Sequence, residues 1–173
     1  MEDLLALLSK GDVDAFNDQR PRRGKLEMFA ADLADIKAHG VDLSSANLEK
    51  ADLTGADFTD AILARANLSG ADISDAGLSG IMALQSKWRE AWIENTDFTD
   101  ADLSGADLSD ATLTKVDLSR IVLTSAKLKR SVLRDCNLRE AELSEARLAE
   151  IDLEGCDLSL AMMIEARLNS AKL

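Results

Sequence analysis

Aspartates at regular spacings are the side chains of this sequence that could do chemistry. The clearest set recurs at separations of three, twenty or forty residues and consists of Asp57, Asp60, Asp97, Asp100 and Asp117. Carboxylates that lie close together can raise each other's pKa, hold a cation, or present negative charge to a basic partner. Because the sequence offers these aspartates no mixed set of ligands, the pattern favours a solvated ladder over an acid–base pair or a metal site.

Other catalytic groups are scarce. His39 is the single histidine, which excludes a histidine-based triad and a site with several histidine ligands. The sequence contains neither the phosphate-binding pattern G-x-x-x-x-G-K-[ST] nor G-x-G-x-x-G. We therefore predict that the protein is not an enzyme and that it needs no cofactor and no metal.

A five-residue repeat must position the aspartates. From Thr96 to Ser119 the chain reads TDFTD ADLSG ADLSD ATLTK VDLS, with a large apolar residue at every fifth place and a small or branched residue two places earlier. Five residues turn a helix by ~140° beyond whole turns, and along a strand they would send successive leucines to opposite faces. The chain must therefore bend in every repeat, and this predicts a solenoid wound around its own leucines.

A second spacing gives the size of one coil. The place before the central residue should point outward, and it is apolar at Ile62, Met82, Val122 and Met162, which are separated by multiples of twenty. Cys136 and Cys156, also twenty residues apart, share the small inward place. Twenty residues per coil would stack each set in a column. The two cysteines then lie within disulfide range, but we favour free core thiols.

The pattern A-[D/N]-L-x-x, which keeps one frame from Val41 to Leu173, resembles the pentapeptide-repeat family. The resemblance implies an all-β solenoid: a right-handed quadrilateral parallel β-helix with four repeats per coil and inward central residues. We predict an N-terminal α-helical cap with a basic connector over residues 1–30 and the β-helix over residues 31–173.

The first forty residues differ in kind from the repeats. Leucines recur at helical spacing before Gly11, and Asp12 is placed to cap a second short helix. We expect these helices to close the first leucine layer, and the basic run at residues 20–25 is either a solvated connector or a contact for an anionic partner. The sequence shows no signal peptide and no transmembrane span, which predicts a cytoplasmic protein.

Residues 79–95 weaken the repeat, because Ala83 and Trp88 occupy central places. Either Trp88 fills the space left by Ala83, or the stretch bulges outward as a loop. Nominally outward apolar residues here and elsewhere form a predicted apolar interface, comprising Ile62, Met82, Leu84, Trp92, Val122, Met162 and Ile164. The alternative is that the N-terminal helices or a loop cover them. A homodimer through the last coil or through this face is also predicted.

The resemblance also implies a candidate partner. Members of the family that protect type II topoisomerases resemble B-form DNA and occupy the DNA-binding groove of gyrase. We predict a protein-binding β-helix of this kind, with Asp57, Asp60, Asp97, Asp100 and Asp117 as its acidic face. The near-neutral charge of residues 111–173 weakens this hypothesis. The alternative is a scaffold that acts through the apolar face, while the net charge of −12 argues against direct binding of nucleic acid.

Overall fold

The computed structural model describes residues 2–21 and 25–173, so part of the predicted basic connector lies outside the described residues. Two helices come first, α1 (Glu2–Ser9) and α2 (Val13–Gln19). Asp12 accepts a hydrogen bond from the backbone N–H of Ala15 at 3.2 Å, which confirms its predicted capping role. Leu8 and Phe16 are fully buried in the same hydrophobic cluster as the repeats. In the described part of the chain, no helix has the length and apolar character needed to cross a membrane.

The repeats form one continuous parallel ladder. Bridges join residues twenty apart from Glu27 to Lys172, which confirms the coil of twenty residues and its four repeats. We name four faces: face 1 holds residues 41–45, face 2 residues 46–50, face 3 residues 51–55 and face 4 residues 56–60, each with the residues at multiples of twenty from them. The ladder begins at Glu27, one repeat before residue 31.

Each repeat is a short extended piece followed by a turn, and its residue types suit that path. In one typical repeat the N–H of Ala46 donates to the C=O of Leu43 at 3.0 Å, and Ser45 between them has a φ of 60°. The aspartate before the central residue caps the turn, as Asp42 does by accepting the N–H of Ser44 at 2.9 Å. The acidic place therefore has a structural role as well as a charge.

Several corners between face 3 and face 4 depart from this geometry. The turn hydrogen bond found at most other corners is missing just before Ile36 and Ala76, and just before Thr96, Val116 and Cys136 on three successive coils. In those coils face 3 straightens into the parallel strands β1 (Trp92–Glu94), β2 (Thr112–Thr114) and β3 (Val132–Arg134), in the order β1-β2-β3. The solenoid therefore has one face with regular strands over three successive coils.

The core keeps its register through residues 79–95. Trp88 is completely buried, and its Nε1 donates to the hydroxyl of Ser86 at 2.6 Å. Its ring meets Phe98 edge to face, with ring centroids 5.6 Å apart. The indole occupies the space that Ala83 leaves, so the stretch is a regular coil and not a loop.

Cys136 and Cys156 stack in one inward column of face 4, and both are free thiols, as expected. The neighbouring Cys156 thiol and burial both raise the pKa of Cys136.

Candidate protein-interaction surface

Face 4 assembles the aspartates that the sequence singled out. Asp57, Asp97 and Asp117 point outward in a single column, in which Gly77 separates Asp57 from Asp97. Asp60 and Asp100 lie at turn residues with φ values of 57° and 60°, and form a second column beside the first. The five residues therefore share one side of the β-helix.

The column of Asp57, Asp97 and Asp117 keeps half of its hydrogen-bonding capacity free. Oδ1 of Asp57 accepts the N–H of Thr59 at 3.1 Å and its hydroxyl at 2.8 Å, and this hydroxyl is the main cause of the lowered pKa of Asp57. Oδ1 of Asp97 and Oδ1 of Asp117 cap their own turns in the same way. The Oδ2 atoms of these three residues accept no hydrogen bond from any described residue.

The second column is less available. Arg120 donates two hydrogen bonds to Asp100, from Nε at 2.6 Å and from Nη2 at 2.7 Å, and these lower the pKa of the Asp100 carboxyl. Asp60 lies 3.9 Å from His39 Nε2. Arg120 stands twenty residues after Asp100, so the coil period brings the two together and Asp100 does not contribute a free negative charge to the face.

Face 3 carries an acidic column that the sequence analysis did not identify. Asp32, Asp52 and Asp72 stack on three successive coils. None of the three has a Lys, Arg or His within salt-bridge distance among residues 2–21 and 25–173. Their twenty-residue spacing was the signal that could have revealed them.

The predicted apolar interface is divided. On face 1, Ile62 and Met82 are adjacent, with Leu84 beside them, but the following coils place Asp102 before Val122 and Glu142 before Met162. The predicted apolar interface is therefore not one continuous surface on face 1, because charged residues interrupt the column.

The remaining apolar candidates lie apart from that patch. Met162 and Ile164 are exposed in the last coil, and Trp92 lies on face 3, two faces away from face 1 and so on the opposite side. Met82 and Leu84 are 46% and 41% exposed, so neither the described helices nor a loop covers them.

The described residues contain no group of three or more His, Cys, Asp or Glu side chains suited to a metal ion. What the surface does present is carboxylates held at fixed positions by a stiff ladder, whose successive coils lie about 4.8 Å apart.

Comparison with known proteins agrees with this architecture. A model of pentapeptide repeats (8 copies) matches residues 30–80, and a model of a pentapeptide repeat region matches residues 86–163. No curated protein matches the chain.

Solved structures add three relatives. A pentapeptide repeat protein from the thylakoid lumen of Arabidopsis thaliana is 23% identical, with a TM-score of 0.55 over 57% of this chain and 68% of its own. One from Nostoc PCC 7120 is 30% identical over 65% of this chain and 84% of its own, with a TM-score of 0.24. Full-length QnrB1, a plasmid-mediated fluoroquinolone resistance protein, is 19% identical over 84% of each chain, with a TM-score of 0.48. At 23% identity, the match to the Arabidopsis protein shows a shared fold and nothing about function.

Proposed function

The chain belongs to the pentapeptide-repeat family, and we propose that it is a non-catalytic β-helix that binds a basic protein groove through its unpaired carboxylates. The specific partner we propose is a type II topoisomerase, DNA gyrase, whose DNA-binding groove this protein would occupy in place of DNA.

One observation carries the proposal. Asp57, Asp97 and Asp117 each commit one carboxylate oxygen to a turn and leave the other without a partner among the described residues. The turn fixes the direction of each carboxylate, so little conformational entropy is lost when a partner binds. A groove built to bind phosphates attracts negative groups held in such columns, and the attraction weakens as salt screens it.

The test is a gyrase supercoiling assay with purified protein, with and without a quinolone, at low and moderate salt. We expect inhibition or protection at low micromolar protein, weaker at the higher salt concentration. The variant D57N/D97N/D117N should lose the effect. Its fold should persist, because asparagine caps the same turn at Asn67, whose Oδ1 accepts the N–H of Ser69 at 3.3 Å. No effect of the wild-type protein up to tens of micromolar would remove gyrase as the partner.

A scaffold function through face 1 is the second candidate, favoured by the patch of exposed Met82 and Leu84 with the half-buried Ile62 beside them. Binding through this patch would survive moderate salt and would be lost in Met82→Arg. The carboxylate variant would retain it, so the two candidates give opposite results in the same pair of experiments.

Self-association is part of the proposal as well. Leu160, Met162 and Ile164 are 67%, 53% and 67% exposed and lie close together in the last coil. Apolar groups clustered in this way favour contact with a second copy. Light scattering at micromolar concentration should show a dimer, and a monomer would contradict this part of the proposal.

A further inference from the structure

Two of the six aromatic side chains are exposed, and only one of them has a cation from the described part of the chain over its ring. Phe29 and Trp92 are 56% and 50% exposed. Lys50 from the next coil places its Nζ 5.9 Å from the ring centroid of Phe29, within the range of a cation–π contact. No comparable cation lies over Trp92 among residues 2–21 and 25–173. The indole face therefore lacks the kind of partner that the other exposed ring has within the chain.

The surroundings of Trp92 are acidic. Asp72 is its bridge partner on the preceding coil, and Asp52 lies one coil further along the same column. Glu94 is two residues along β1, so its side chain leaves the strand on the same face as the indole. Asp72 and Glu94 form no salt bridge with a described residue. Carboxylates thus lie on two sides of an exposed aromatic ring.

A guanidinium group complements this arrangement better than other common groups. Arginine can stack its plane on an aromatic face while its N–H groups donate to flanking carboxylates. A lysine ammonium can form the charge pairs but has no plane to stack. A nucleic-acid base could also stack on Trp92, but its phosphates would be repelled by Asp72, Asp52 and Glu94. A basic protein segment is therefore the occupant that the charges favour.

We infer that Trp92, Asp72 and Glu94 form a docking site for an arginine side chain on an extended, basic segment of a partner protein. The inference rests on the proposed protein-binding function and adds to it the residues that would bind arginine. Asp52 and Asp32 continue the column and receive further cations of the same segment, one coil at a time.

The experiment uses the full chain and two fluorescent peptides, hexa-arginine and hexa-lysine, with anisotropy at low salt as the readout. The main variant is Trp92→Thr, because Thr112 occupies the same place in the next coil without disturbing the ladder. Asp72→Asn removes the charge and keeps the turn cap to Ser74. Phe29→Ser is the matched control: it removes the other exposed ring, and Ser69 already stands in that column two coils further on.

We expect hexa-arginine to bind more tightly than hexa-lysine. Trp92→Thr should weaken the binding of hexa-arginine by about three- to tenfold and remove the preference for arginine. Asp72→Asn should weaken the binding of both peptides, and Phe29→Ser should change neither. Equal binding of the two peptides, no binding of either, or unchanged arginine binding by Trp92→Thr would overturn the inference.

The supercoiling assay separates this inference from the proposed function. If the wild-type protein inhibits gyrase but the peptides do not distinguish Trp92→Thr from wild type, the arginine site is wrong and the gyrase proposal stands. If hexa-arginine depends on Trp92 while gyrase is unaffected, the arginine site stands and the basic partner is a protein other than gyrase.

Discussion

Aspartates occupy the same outward column at both ends of face 3, but they form salt bridges with described residues at only one of the two ends. Near the N-terminal end, Asp32, Asp52 and Asp72 stack with no salt bridge to a described residue. Near the other end, Asp152 accepts a hydrogen bond from Arg134 Nη2 at 3.0 Å and lies 3.6 Å from Lys172 Nζ. Trp92 and the strands β1 to β3 lie between the two ends.

The difference follows from the residues one coil away. Among the described residues, Arg20–Asp42 and His39–Asp60 are the only salt bridges whose cation precedes Arg89. The later coils therefore satisfy many of their own carboxylates, while the earlier coils leave most of theirs to solvent. Equal backbones can thus carry mostly paired carboxylates at one end and mostly unpaired carboxylates at the other.

The largest effect we predict tests whether the two ends share one kind of core. Leu68 and Leu128 occupy the same central column of face 2, three coils apart, and both are buried. Leu68→Ala and Leu128→Ala should each lower the free energy of unfolding by about 2–5 kcal/mol, because each leaves a cavity in a leucine layer. Denaturation in urea measures both. A cost for one variant less than half of that for the other would show that the cores differ as well as the surfaces.

The next prediction concerns a substitution that gives the N-terminal end of face 3 a cation like the one at its other end. Asp52→Lys places a cation between Asp32 and Asp72, much as Lys172 stands beside Asp152. The binding of hexa-arginine should weaken by about tenfold, since two carboxylates are paired and one is lost. Circular dichroism should show an unchanged fold. Retention of wild-type affinity would mean that the unpaired column does not contribute to binding.

Removing the cations beside Asp152 should change the binding of hexa-arginine by a smaller factor. Arg134→Gln with Lys172→Gln frees Asp152 and Glu154, and hexa-arginine should bind a few times more tightly. The melting temperature should fall only slightly, because exposed ion pairs contribute little to stability. Anisotropy and thermal unfolding give the two values. A large loss of stability would contradict the view that these pairs mainly neutralise charge.

Much of this architecture could be predicted from the sequence, because its main signals are local or periodic. The five-residue frame, the twenty-residue coil and the cap at Asp12 needed only spacing and residue type. The divided apolar column was also within reach, since Asp102 and Glu142 stand at multiples of twenty from Met82. The pairing of Asp100 with Arg120 obeys the same rule.

Other features required the packed structure. The straight strands on face 3 occur where the turn hydrogen bond before Thr96, Val116 and Cys136 is missing, which no periodicity reports. Whether Trp88 would fill the layer or push it outward depended on the volume left by Ala83 and on a hydrogen-bond partner for the indole, Ser86. Whether a carboxylate oxygen is free to bind a partner likewise depends on which of the two oxygens accepts the hydrogen bonds of the turn.

The smallest predicted effect is a dependence of stability on pH. The pKa of Asp57 is lowered chiefly by the hydroxyl of Thr59, and those of Asp100 and Asp152 chiefly by hydrogen bonds from Arg120 and Arg134. A folded-state pKa below the unfolded value of 3.8 means that this stabilisation is fully present above that value and is lost as the pH falls through the lower folded values. The melting temperature should therefore fall between about pH 4 and pH 2. The variant Arg120→Gln should show a shallower fall, and an identical pH profile would contradict the assigned cause.

The most direct test of the account compares two variants that lose the same charge. D57N/D97N/D117N removes carboxylates that have a free oxygen, and D107N/D110N/D152N removes carboxylates already paired with Arg89, Lys127, Arg130, Arg134 or Lys172. In the gyrase supercoiling assay, we predict that the first variant loses inhibition and that the second retains it. Equal loss in both variants would mean that net charge alone governs binding, and full activity of the first variant would contradict the claim that the unpaired carboxylates form the binding surface.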